Sequence, residues 1–163
     1  MIHAEDSHSG RVRASRTRVD ESLEGSNPSS SARITYSRNR APMSQDLFLH
    51  LTTKLAWEDA LAVGVYSLST KGKTLKEVGF IHGSFANQVE EVAGFVFAGS
   101  TEELVVLHLD TNKLKAAGIE VRVEDASNGK KYPHIYGVIP CGLVERVSAA
   151  YMNSENKLVI GKD

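Results

Sequence analysis

Three histidines carry most of the chemistry this sequence offers. His50, His82 and His134 each lie in or at the end of a short apolar run, beside small or hydroxyl-bearing residues: Thr52 and Thr53, Gly83 and Ser84, Tyr136 and Gly137. Imidazole titrates near neutral pH, so a histidine can act as general acid or base, and its neutral form binds metals. Within an apolar strand both ring nitrogens also need partners, and a hydrogen-bonded core histidine meets that need without any function. The core reading is the simpler one for a single histidine. Three in similar surroundings also fit a shared pocket, and both readings stay open on the residues alone. His108 has no hydroxyl-bearing neighbour and reads as structural.

The other reactive types have plainer explanations. Ser84 and Thr53 stand where helix caps are needed. Glu124 reads as a solvated residue at a strand end, and the lysines from Lys71 to Lys76 as a solvated loop. Cys141 lies between Pro140 and Gly142, with no basic neighbour to lower its pKa, so it is not expected to be a nucleophile. There is no Walker loop, no dinucleotide-binding glycine fingerprint, no paired-cysteine zinc motif and no HExxH.

The elements that must position these residues follow from periodicity. Leu47 to Leu51 reads as a buried strand, followed by a helix capped at Thr53, with Trp57, Ala60 and Leu61 on one face and Gly64 as its stop. The polar stretch Ser67 to Lys76 has no period and reads as a loop. Gly79 to Gly83 reads as a short strand. Ser84 would then cap a helix carrying Phe85, Val89, Val92, Ala93 and Val96 and ending at Gly99. Leu104 to Leu109 is nearly unbroken apolar sequence, as expected of a central strand covered on both faces. Val121 to Glu124 alternates, Asn128-Gly129 marks a hairpin tip, and Tyr132 to Pro140 reads as one strand. Leu143 to Ala150 and Lys157 to Ile160 complete the set. Two early helices and late strands without a βαβ rhythm give an α+β class with mostly antiparallel sheets.

All of this lies after Met43. From Met1 to Pro42 every basic side chain is arginine, whereas afterwards lysine predominates and only Arg122 and Arg146 remain. Residues 1–42 are serine-rich and poor in large apolar side chains, so they are expected to be disordered. Their acids, Glu5, Asp6, Asp20, Glu21 and Glu24, argue against a transit peptide and against a nucleic-acid arm. Gly25-Ser26-Asn27-Pro28 is what GGTTCGAATCC, a run typical of the T-arm of bacterial tRNA genes, encodes in one frame. The leader therefore reads as translated tRNA-gene sequence, with the native start at Met43. Residues 43–163 are expected to form one domain. Nothing approaches the roughly 20 apolar residues of a membrane span, and a single cysteine fits a reducing cytoplasm.

Four motifs in order resemble a known family. They are His50-Leu51-Thr52-Thr53 with Trp57 and Ala60; Gly64-Val65-Tyr66; Gly79-Phe80-Ile81-His82-Gly83-Ser84 with Gln88; and Tyr132-Pro133-His134-Ile135-Tyr136-Gly137. Together they resemble the bacterial family catalogued as domain of unknown function 952, and the likeness covers essentially all of the chain after Met43. The family pattern has cysteine at the position of Gly83, so no thiol is available there. The family in turn looks like a distant relative of the ADP-ribosyltransferase fold, which includes tRNA 2′-phosphotransferases.

That resemblance implies an NAD-like nucleotide ligand and glycosyl or ADP-ribosyl transfer. His50, Leu51 and Thr52 would hold the ligand, with Ser84 and Tyr136 beside it. His82, His134 and Glu124 would supply acid–base or charge-stabilising chemistry, His134 standing nearer than Glu124 to the place of the relatives' late-strand glutamate. Leu51 replaces their glycine, leaving its backbone amide and carbonyl for contact. The phosphotransferase branch needs several basic groups, and with two arginines and a slightly acidic balance after Met43 a nucleic-acid partner is not expected. No metal is expected either. Two alternatives stay open: a binding module without catalysis, and a metal site built from His50, His82 and His134.

Overall fold

The computed structural model describes residues 46–161. The leader, residues 1–42, lies outside the described residues. The described part is α+β with mostly antiparallel sheets.

Its larger sheet has four strands in the order β1-β6-β10-β11, all antiparallel: β1 Leu47–Thr53, β6 Leu104–Asp110, β10 Val144–Met152 and β11 Leu158–Ile160. β6 is central, and its alternate residues enter two cores. Val105, Leu107 and Leu109 join Phe48, Trp57, Tyr66 and Ile135 on one face; Leu104 and Val106 join Leu49, Leu51, Val89, Ala93 and Phe97 on the other. Burial on both faces accounts for the unbroken apolar run.

The second sheet has the order β5-β8-β7, with β5 Ile81–His82, β7 Glu120–Asp125 and β8 Lys131–Tyr136. The β7–β8 hairpin turns through Gly129 at φ 74°, as Asn128-Gly129 indicates. The two sheets touch where Leu49 and Ser84 exchange backbone hydrogen bonds of 2.8 and 2.7 Å.

The first helix, α1 (Lys54–Val63), begins and ends as expected. Thr53 Oγ1 accepts from the Ala56 amide at 3.2 Å, and Gly64 closes the helix at φ 85°. Trp57 and Ala60 are buried, but Leu61 is 52% exposed, on the side of α1 that lines an open groove beside β10.

Several expectations change. The supposed loop 67–76 folds into a hairpin, β3 (Leu68–Thr70) with β4 (Lys73–Thr74), followed by the short helix α2 (Leu75–Val78). A reciprocal capping box between Thr74 and Glu77 starts that helix. Ser84 is not a helix cap, because both its backbone groups belong to the bridge with Leu49; α3 runs only over Val89–Val96. The single strand 132–140 is two, since the chain leaves β8 at Gly137 and Ile139–Pro140 (β9) pairs instead with β2, Val65–Tyr66. A fourth helix, α4 (Thr111–Ala116), follows β6, capped by Asp110 accepting from Asn112 and Lys113.

Candidate functional site

The second sheet builds a polar, aromatic face. Side chains alternate along a strand, so while Ile81, Val121 and Ile135 enter the core, the residues between them share the other face. His82 of β5 stands opposite His134 of β8, which in turn stands opposite Arg122 of β7. The two imidazoles meet edge to face, their centroids 5.3 Å apart. Phe80, brought in by the left-handed turn at Gly79, stacks on His134 at 4.0 Å and meets the edge of His82 at 4.8 Å.

A carboxylate organises the far side of this cluster. His134 Nδ1 donates to Glu124 Oε2 at 2.8 Å, and the Tyr136 hydroxyl donates to the same oxygen at 2.6 Å. The Tyr136 bond, and after it the His134 bond, holds Glu124 below the usual carboxylate range; the same bond raises the Tyr136 phenol. Charge therefore stays on Glu124. The Arg122 guanidinium lies 4.4 Å above the Tyr136 ring and pairs with both carboxylate oxygens of Glu120.

With Nδ1 given to Glu124, the other nitrogen of His134 has no protein partner among the described residues, and neither ring nitrogen of His82 has one. Partial desolvation, then the neighbouring His134, pushes His82 below the ordinary histidine range. Both rings line a cleft of about 470 Å³, walled by Val92, Phe95 and Val96 of α3 and by Asn128 and Tyr132 of the hairpin. A carboxylate-oriented imidazole whose free nitrogen remains unpaired is the arrangement of a general base.

His50 is placed elsewhere. It is 2% exposed and sits behind β5, where Nδ1 donates to the His82 carbonyl at 2.6 Å and Nε2 lies 2.8 Å from the Tyr66 hydroxyl. Burial drives its pKa down to about 4, so the ring is neutral. A carbonyl only accepts, which assigns the proton to Nδ1 and makes Nε2 an acceptor. Tyr66 must then donate to Nε2 and accept from Thr52 Oγ1, 2.8 Å away. Burial also raises the Tyr66 phenol. His50, Thr52 and Tyr66 thus form a closed internal chain beneath the cleft floor.

The expected site residues therefore separate. His82, His134, Glu124 and Tyr136 come together; His50 and Thr52 support them from inside. Leu51 places its side chain in the second core, and Ser84 lies at the junction of the sheets. With both nitrogens of His50 engaged, a metal site from His50, His82 and His134 is not formed, and among the described residues no three potential ligands are grouped to hold a metal ion. Phe80, Arg122 and Tyr66 were not anticipated. Phe80 could have been found from its alternation with His82; the other two join the site through strand pairing and packing.

A larger groove of about 650 Å³ lies between α1 and β10, lined by Trp57, Leu61, Val147 and Tyr151. Among the described residues no histidine lines it; its charged side chains are Lys54 and Glu103, paired at 3.0 Å, and Glu58. No described helix is long and apolar enough to cross a membrane.

Comparison with known proteins gives the fold and the family. The X-ray structure of protein CC0527 from Caulobacter crescentus is 25% identical, aligned over 69% of this chain and 93% of that one, with a TM-score of 0.60. Its solution NMR structure is 24% identical over 69% and 90%, with a TM-score of 0.56. No curated protein matches. Residues 51–147, which hold the histidine pair, Glu124 and the α3 wall, match the family described as "Protein of unknown function (DUF952)", and the chain belongs to that family.

Proposed function

We propose that this domain binds a small nucleotide-like ligand in the cleft above His82 and His134, with His134 as acid–base group. The observation that carries the reading is the Glu124–His134 pair, 2.8 Å long, behind a second imidazole whose nitrogens have no hydrogen-bond partner among the described residues. The aromatic and aliphatic walls, Tyr132, Phe95, Val92 and Val96, suit a flat ring. Among the described residues no lysine or arginine lines the cleft, so the base or ribose end of a nucleotide would enter and its phosphates would stay outside.

The resemblance to ADP-ribosyltransferases belongs to the same proposal, and it makes NAD the first ligand to test. On this reading Tyr136 and Glu124 orient His134, while Ser84 and the backbone of Leu51 bound the inner end. His50 and Thr52 fix the floor through Tyr66. His82 shares the cleft with His134 and exchanges protons with the ligand. Glycosyl or ADP-ribosyl transfer is the reaction implied. The test is calorimetric titration of the wild type and of His134→Ala with NAD and ADP-ribose. Binding by the wild type that weakens at least tenfold in the variant supports the proposal; no heat with either ligand rejects it.

One observation favours a second reading, a binding module without turnover. Glu124 is engaged by His134 and Tyr136 and does not line the cleft, so no carboxylate faces a reacting ribose. Binding with no product after prolonged incubation would identify it.

A further inference from the structure

A small chamber lies behind His82, where β1 and β5 part. Their backbones meet at the Leu49–Ser84 bridge and the His50 side chain reaches across to the His82 carbonyl; beyond the bridge β5 turns away to pair with β8. Continued in register, Leu51 would face His82, but no pair forms there. Partners alternate in an antiparallel ladder, so Leu51 sends its N–H and C=O to the same side as Leu49, toward the opening. The cavity is about 20 Å³, and Leu51, Ser69, Thr70, His82 and Ser84 are among its lining residues.

This lining holds more hydrogen-bonding capacity than the protein uses. Ser69 is fully buried, and its hydroxyl has no hydrogen-bond partner among the described residues. The side chains of Thr70, Ser84 and His82 likewise make no hydrogen bond to another described residue. A buried hydroxyl left unpaired is costly, and native proteins rarely leave one so. A water needs roughly 10–15 Å³ of such space and two to four polar partners, and this chamber provides both.

We propose that the chamber is a binding site for one ordered water, held by Ser69 Oγ and by a ring nitrogen of His82. The water fills the wedge between the parting strands. It also sets the tautomer of His82: a neutral imidazole has one donor and one acceptor nitrogen, so engaging one with the water decides what the other presents to the cleft. Nothing in this inference depends on the cleft binding a nucleotide.

High-resolution crystal structures of the wild type and of Ser69→Ala test it, paired with ¹⁵N NMR of the His82 ring. The expected result is one water within about 3 Å of Ser69 Oγ, absent in the variant, with the His82 ring nitrogen shifts changed between the two. The Ser69 hydroxyl makes no hydrogen bond to another described residue, so the variant should fold. A dry chamber in the wild type, a water that persists in the variant, or His82 shifts identical in both would overturn the proposal.

Discussion

His134 Nδ1 donates to Glu124 Oε2 at 2.8 Å across the β7–β8 hairpin, and the same oxygen accepts from Tyr136 at 2.6 Å. Two donors on one oxygen keep the carboxylate charged and the imidazole in its Nδ1–H form. In its neutral form the His134 ring should show the Nδ1–H tautomer by ¹⁵N NMR, and Glu124→Ala should return that form to a mixture of tautomers. The sign of the pH effect follows from the depressed Glu124. Its contribution to stability is complete above the ordinary carboxylate range and is lost as pH falls through its lowered folded pKa. Urea midpoints should therefore fall less steeply with acid in Glu124→Gln than in the wild type.

His50 gives a second, separate acid sensitivity. Its pKa falls from 6.5 to about 4 on folding. Between those values the unfolded chain binds more protons, so stability declines as pH drops from about 6.5 to about 4. A shift of this size corresponds to a loss on the order of 3 kcal/mol. Denaturant titrations across that window should show the decline, and His50→Gln should flatten it.

Tyr66→Phe removes the hydroxyl that His50 and Thr52 share. It leaves two buried polar groups unpaired without changing the packing, so the expected cost is about 1–3 kcal/mol. Equilibrium urea unfolding reads this directly. The distance from His134 to Glu124 should be unaffected, because Tyr66 lies on the other side of β5.

Gly83 is fixed by its neighbours. A Cβ there would lie 2.8 Å from Phe48 Cδ2 and 2.9 Å from both Pro133 Cγ and the Pro133 carbonyl oxygen, and the carbonyl oxygen belongs to a ladder that cannot yield easily. Gly83→Ala should cost about 1–3 kcal/mol, seen as a lower Tm in thermal unfolding. The same crowding explains why a thiol at this position does not suit this chain.

The parts of the fold legible in the sequence are those written locally. Thr53, Gly64 and Asn128-Gly129 act within a few residues of themselves, and the run Leu104 to Leu109 declares its own burial. The hairpin at 68–74 and helix α4 carried local signals, Gly72 with the Thr74–Glu77 box and the cap at Asp110, which the polarity around them obscured. Ser84 misled because its nearest apolar period is helical while its backbone is claimed by Leu49, thirty-five positions earlier. The three histidines look alike in sequence. Only the register that sets His82 opposite His134, and the packing that brings Tyr66 to His50, tells a cleft residue from a core one.

Mapping ligand contact by NMR is the most direct test of the central claim, that the His82–His134 cleft is the ligand site. Titration with NAD or ADP-ribose should shift the side-chain resonances of His82, His134 and Tyr132 in a saturable way and leave those of Trp57 and Tyr151 unchanged. Shifts confined to the groove between α1 and β10, or none at millimolar ligand, would contradict it.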